Sequence, residues 1–292
     1  MCTTCGCDDH APRRIDGTES HSHGHGHPPD PAQTHPHPDP GETRSVSVEA
    51  DLLARNDAHA RENRRRFDEC GVRALNLVSS PGSGKTALLV TTLEHLSGEV
   101  PLAVIEGDQE THRDADRIRA TGVSAVQINT GKGCHLDAHG VGHACERLDL
   151  TGGGILFIEN VGNLVCPAAF DLGAHHRVLV LSVTEGDDKP FKYPEMFRTA
   201  DALVINKMDL MPHVDFDRAA CEAQALHLNP DLAIFRLSAR TGEGLEAWLD
   251  WLRARRTQPQ DLDAPETDEL ETLRQRVTEL EARLERAGLM PS

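Results

Sequence analysis

The sequence predicts an α/β fold, a mostly parallel sheet with helices on both faces. Two observations predict it. Short apolar runs alternate with helical stretches from Ala74 onward, and a glycine-rich loop joins the first run to the first helix. Strands buried on both faces read as continuous apolar runs, and parallel neighbours need a crossover that is usually a helix. Aromatic residues are only 3% of the chain, which disfavours an all-β sandwich and a base-stacking RNA binder.

Taken in order, Ser47–Cys70 has Val48, Leu52 and Leu53 in its first turns and then mostly charge, the pattern of an amphipathic helix leading into the main domain. The expected strands are Ala74–Val78, Ala103–Ile105, Ala125–Ile128, Ile155–Ile158, Arg177–Val183, Ala202–Ile205 and Ile234–Leu237. No apolar run reaches the ~18 residues that a membrane span needs, and MCTTCGCDDH lacks an apolar signal core. A cytoplasmic protein is expected, with its 8 Cys serving as ligands or reduced thiols. The balance of 47 acidic against 30 basic residues argues against a nucleic-acid binder.

Four segments are expected. Residues 1–44 hold a CxxCGC terminus and a His-rich tract, 45–256 a nucleotide domain with its leading helix, 257–267 a Pro- and Asp-rich linker, and 268–289 a helix. Seven of the 17 His precede residue 41, in a stretch of Pro, Gly, Asp and His that cannot bury enough apolar surface to offset its ordering entropy. Disorder is therefore expected there. In the last segment Leu270, Leu273, Val277, Leu280 and Leu284 follow heptad spacing. Either a parallel coiled coil or one helix packed on its own domain would use that stripe.

Ser79–Thr86 reads SSPGSGKT between the run LNLV and the helical ALLVTTLEHL, the strand–loop–helix context of a phosphate-binding loop. The expected architecture is thus a three-layer P-loop NTPase. Gly82, Ser83 and Gly84 let backbone N–H groups wrap phosphate oxygens, Lys85 can reach the β- and γ-phosphates, and the Thr86 hydroxyl can bind Mg²⁺. The first glycine of the usual pattern is Ser79 here. Asn206–Asp209 (NKMD) follows a strand and looks like a guanine-specificity motif: the Asp209 carboxylate accepts from guanine N1–H and N2–H₂, Asn206 supports the loop, and the Lys207 stem lies along the base. Ser238, Ala239 and Arg240 resemble the loop that contacts guanine O6. Glu159–Gly162 (ENVG) resembles a GTPase switch in which Gly162 N–H meets the γ-phosphate. Asp108 reads as a Mg²⁺-side carboxylate or as a helix N-cap. Lys132, between Gly131 and Gly133, is a candidate for touching phosphate across a dimer.

Cysteine and histidine mark three metal-binding candidates. Cys2, Cys5 and Cys7 can close on one soft or borderline cation, or form a redox pair. The His tract can hold several Ni²⁺ or Zn²⁺ ions weakly, or serve only as a solubilising linker. Cys134 and His135 lie in TGKGCHLDAH, and Cys166 lies four residues beyond Gly162, so a Cys–His–Cys site would share a loop with the switch. His139 and His143 follow His135 at i+4 and i+8, on one face if that stretch is helical. Cys70, Cys145 and Cys221 read as core thiols.

SSPGSGKT, EGDQET, GKGCHLDAH, FIENVGNLVCP, TEGDDKPFKYP, NKMDL and SARTGEG occur in that order. With them the chain resembles HypB, the hydrogenase nickel-incorporation GTPase family of the SIMIBI class, over about residues 45–255. The resemblance implies a GTP-dependent homodimer that binds Ni²⁺, works with a HypA-type nickel chaperone, and helps load nickel into the large subunit of [NiFe] hydrogenase. It implies Cys134, His135 and Cys166 as metal ligands, for Ni²⁺ or Zn²⁺, with His139 and His143 joining a dimer-interface site, and Cys2, Cys5 and Cys7 as a separate tight nickel site. A nickel storage or detoxification protein, and a related GTPase serving urease, are the alternatives. The heptad segment is not part of the family pattern.

Overall fold

In the computed structural model, the described residues are 40–108, 113–131, 133–150 and 152–255, with side chains from residue 50 onward. Cys2, Cys5, Cys7, the His tract, Lys132, the linker and the heptad segment lie outside them. Among the described residues no helix is long and apolar enough to cross a membrane.

The leading helix α1 spans Pro40–Glu69, so it begins before the expected Ser47. A proline suits a helix start, because its φ is already helical and the first turn leaves its missing N–H unneeded. Gly71, at φ 64°, ends the connection. The packed stripe of α1 also differs from the apolar one expected. Leu52 is 53% exposed, while Asn56, Ala60, Asn63 and Phe67, spaced 4–3–4, are buried. Asn56 donates to the Asp171 carbonyl (2.7 Å) and accepts from the Ala138 N–H (2.9 Å). Asn63 donates to the carbonyls of Ala138 (2.7 Å) and Leu172 (3.1 Å). The helix crosses a loop and a helix start, where backbone groups need partners that leucine cannot supply. Gly173, at φ +84°, permits the approach: a Cβ there would sit 2.3 Å from the Ala60 carbonyl.

The domain continues as β1 (Val72–Ser79), α2 (Lys85–Leu96), β2 (Leu102–Asp108), α3 (Arg113–Arg119), β3 (Ser124–Asn129), α4 (Ala138–Cys145) and β4 (Gly154–Glu159). It then runs through α5 (Cys166–Ala169), β5 (His176–Ser182), α6 (Lys189–Lys192), α7 (Pro194–Arg198), β6 (Ala202–Asn206), α8 (Arg218–Leu228), β7 (Ala233–Arg236) and α9 (Leu245–Arg255). All seven expected strands form, within one or two residues at each end, except that β2 runs three residues past Ile105 to Asp108. They build one parallel sheet of order β3-β2-β4-β1-β5-β6-β7. The sheet has helices on both faces, the three-layer arrangement expected.

One face presents Leu75, Leu77, Val104, Phe157 and Val178 to α2 and α9, where Trp248 is buried and its indole N–H donates to Thr92 (3.0 Å). The other face divides. Ile105, Leu156 and Ile158 pack on α4 and Phe67, while Val78, Leu181 and Ile205 pack on Phe197 and α8. Cys145 and Cys221 are buried in these layers, and burial pushes their thiols up to about 11 and about 12. They are core residues, as expected, and Cys70 is half-buried beside the first of them. In such a sheet ligands bind beyond the carboxyl ends of the strands, where the strand order reverses. Here that place lies around the end of β1, between β4 and β5.

Replacing Asn63 with Ala strips the carbonyls of Ala138 and Leu172 of their donor. The expected loss is ~2 kcal/mol of unfolding free energy, measured by urea denaturation with tryptophan fluorescence.

Candidate functional site

The loop after β1 turns into α2 through Gly82 and Gly84, at φ 79° and 88°. A Cβ on Gly84 would stand 2.7 Å from the Asn206 amide nitrogen, so both conformation and space require glycine. Ser79, in place of the usual first glycine, is the last residue of β1. It is buried in extended backbone and its hydroxyl donates to the Ser80 carbonyl (2.9 Å). A side chain fits there, which accounts for the departure from the motif.

The loop borders a cavity of about 480 Å³, whose wall includes Gly82–Thr86, Asp108, Glu159, Gly162 and Lys207. Lys85 Nζ lies 3.2 Å from Glu159 Oε1, and the Thr86 hydroxyl donates to the same oxygen (2.7 Å). Glu159 Oε2 and Ser83 Oγ are buried without partners. Asp108 is the last residue of β2 and stands on the cavity wall. Gly162 packs against the phosphate loop, its Cβ position 3.1 Å from Pro81 Cα.

Sequence reading missed Glu106, which lines the same cavity. It is 2% exposed, and its Oε2 is buried without a partner. Burial, followed by the charges of Glu159, Asp108 and Asp114, pushes its carboxyl up to about 8, against a hydrogen bond from Gln127. The only signal was a charge inside a buried strand, two residues before Asp108. The cavity therefore offers backbone N–H groups, a lysine, a hydroxyl and unpartnered carboxylate oxygens, a donor set that fits phosphates with a hard divalent cation.

Asn206 joins the nucleotide loops. Its Nδ2 donates to the Ser83 carbonyl (3.0 Å), and its Oδ1 accepts from the N–H of Lys207 (2.7 Å) and Ala239 (3.1 Å). Lys207 sits at φ 61° and its ammonium donates to the Gly82 carbonyl (2.7 Å). Asp209, Ser238, Ala239 and Arg240 are not on the cavity wall; Asn206 ties their loops to it. Asp209 Oδ1 is buried without a partner, an acceptor suited to a purine N–H. Arg240 is exposed.

The loop Glu159–Cys166 leads from this cavity to the thiols. Asn160, fully buried and not singled out by its sequence, accepts through Oδ1 from the N–H of Leu136 and Val161 (both 3.0 Å). Asn163 donates to the Cys134 carbonyl (3.3 Å). Cys134 Sγ lies 3.0 Å from Cys166 Sγ and 3.5 Å from His135 Nδ1. Ligand atoms of Cys134, His135 and Cys166 all fall within 4.8 Å of one another, and among the described residues this is the only such group of three. Burial pushes His135 down, against Asp137, and so favours the neutral imidazole that binds metal. Two thiols and an imidazole suit a borderline cation.

His139 and His143 do not join this group. The helix that carries them starts at Ala138, capped by Asp137, so His135 precedes it and shares no helical face with them. Their Nε2 atoms are 3.2 Å apart on the surface, and the His59 ring centroid is 4.9 Å from that of His139.

A strand–loop–helix phosphate cradle, a loop after β6 tethered to it by Asn206, and a parallel sheet define a P-loop nucleotide-binding protein. The profile of the CobW/HypB/UreG nucleotide-binding domain matches residues 73–236. The hydrogenase maturation factor HypB of Azotobacter vinelandii is 63% identical over 215 residues, 74% of this chain and 71% of that protein. Crystal structures of HypB from Archaeoglobus fulgidus (43% identity, TM-score 0.65) and from Helicobacter pylori in complex with nickel (41%, 0.66) each cover 69% of this chain, and are themselves covered to 98% and 94%. The chain belongs to the CobW/HypB/UreG family and, within it, to the HypB hydrogenase maturation factors.

Losing a residue that merely supports a metal ligand costs ~10–100-fold in affinity. Cys166→Ser in protein lacking residues 1–39 is expected to cost at least that for Ni²⁺, read by titration of the thiolate-to-metal absorption band.

Proposed function

We propose that the chain is a GTP-hydrolysing nickel chaperone that helps insert Ni²⁺ into [NiFe] hydrogenase. The observation that carries this reading is the loop Glu159–Cys166, which has one end at the phosphate-loop lysine and the other at the thiol pair.

Lys85 and Thr86 both engage Glu159 in this state. When GTP binds, Lys85 turns to the β- and γ-phosphates, the N–H groups of Gly82–Thr86 cradle them, and Gly162 N–H meets the γ-phosphate. Thr86 and Asp108 would hold the Mg²⁺ that accompanies GTP, which neutralises charge on the transferring phosphoryl group. Asp209 reads the guanine, and Ser238–Arg240 close on its O6 edge. Displacing Glu159 pulls on Asn160, Asn163 and Cys166, and so alters the Cys134–His135–Cys166 site, where the cargo Ni²⁺, or Zn²⁺ in its absence, is bound. Hydrolysis is slow and acts as a timer. The GTP-bound form is a homodimer, and a HypA-type chaperone and the hydrogenase large subunit take part in the transfer. Membership of the HypB family and the nickel complex of the Helicobacter pylori relative support this reading.

A coupling of ~1–3 kcal/mol between two sites changes affinity ~5–150-fold. Nickel affinity measured without residues 1–39 is expected to differ by that factor between GDP and a non-hydrolysable GTP analogue. Equal affinities would sink the coupling.

Hydrogen bonds to a charged group contribute ~1.5–3 kcal/mol, so Asp209→Asn should lower the preference for GTP over other purine nucleotides ~10–150-fold, read by competition binding.

A second client has one observation behind it. A relative from Helicobacter hepaticus, 42% identical, is a hydrogenase/urease maturation factor. Restoration of hydrogenase but not urease activity, in a strain lacking its own factor, assigns the client to hydrogenase; the reverse assigns it to urease.

A further inference from the structure

Glu106 has no part in the machinery above. It is Cα-paired with Glu159 across β2 and β4, and residues in register on parallel strands point to the same face. Asp108, two residues on, shares that face of β2. The face is the one covered by α2 and α3, and Asp114 and Arg117 of α3 complete the wall. Glu106 and Glu159 are each 2% exposed, and each has one carboxylate oxygen buried without a partner. Gln127 bonds the Glu106 side chain.

Two carboxylates side by side in a buried wall are a poor structural choice. Burial disfavours their charge, and each ion disfavours its neighbour. Apolar residues of similar size would serve the strand better, as Val104 and Phe157 do one step earlier on the same strands. The arrangement makes sense if a cation completes it. The Thr86 hydroxyl sits 2.7 Å from Glu159, so a hard ion accompanying the phosphates would lie among the Thr86, Asp108 and Glu159 oxygens. Such an ion keeps several of its waters, and those waters need acceptors.

We propose that Glu106 is a positioning residue for the nucleotide-bound divalent cation, accepting hydrogen bonds from its coordinated water and holding it beside Glu159 and Asp108. The proposal rests on the reading of the cavity as a Mg²⁺–nucleotide site. It implies a trade: Glu106 destabilises the nucleotide-free chain and strengthens ion binding in the complex.

Mn²⁺ is the probe, because its free and bound forms are distinguished by electron paramagnetic resonance. It is titrated into the full-length chain with and without GDP, and the GDP-dependent component is the site in question. Thiolate and imidazole sites prefer softer ions and contribute to both titrations alike. Glu106→Gln is expected to weaken the GDP-dependent Mn²⁺ affinity ~10-fold or more, comparable with the loss of other residues that support a metal ligand. GDP binding in EDTA should be unchanged. The nucleotide-free variant should melt higher than wild type, by ~2–4 °C. Glu106→Met supplies the same test if Gln fails to fold. Unchanged Mn²⁺ affinity in a folded variant overturns the role of Glu106, as does lower thermal stability of the nucleotide-free variant. A wild-type GDP complex that binds no Mn²⁺ overturns this role and the reading of the cavity together.

Discussion

The nucleotide end of the molecule hangs on one buried carboxamide. Asn206 donates to the phosphate loop through Ser83 and accepts from the loops after β6 and β7 at Lys207 and Ala239. Two segments, one 123 residues before Asn206 and one 33 residues after it, are thereby held at fixed separation from it. No apolar contact could do this, because burial is non-directional and leaves loops free to slide. Gly84 is the corollary, since its missing Cβ is what allows the amide to approach. Lys207, in a left-handed conformation that costs an ordinary side chain energy, is held there by its bonds to Asn206 and Gly82.

Asparagine does the same work elsewhere. Asn160 joins the switch loop to Leu136, Asn163 joins it to Cys134, and Asn56 and Asn63 join α1 to Ala138. Each satisfies a backbone group that helix and sheet leave over. The sheet supplies rigidity, and these amides set the relative position of the loops built on it.

Much of this was legible in the sequence, and the parts that were not share a cause. Strands announce themselves as apolar runs, the half-buried edge strands β3 and β7 included, so all seven were found. The phosphate loop was legible because positive φ at Gly82 and Gly84 leaves little choice of residue, and Cys134, His135 and Cys166 because their side chains have few other uses in such company. The packing of α1 was hidden: its buried stripe is half asparagine, and a reading that equates burial with apolarity chose Leu52 instead. Glu106 was hidden for the same reason, as a charge inside a strand. The helical face proposed for His135, His139 and His143 failed at a boundary, because Asp137 caps the helix just after His135. Periodicity describes residues within an element and says nothing about where the element begins.

Ala138 is gripped at both its N–H and its C=O by α1. It stands four residues from Cys134 in the chain. One jaw of the thiol site is thus bolted to a helix outside the nucleotide fold, while the other jaw, Cys166, rides on the loop that reaches Lys85. A pair of pliers needs one handle held still. The leading helix, none of whose described residues lines the phosphate-loop cavity, supplies that anvil, and a load on α1 would be felt at the thiols before it was felt at the phosphate loop.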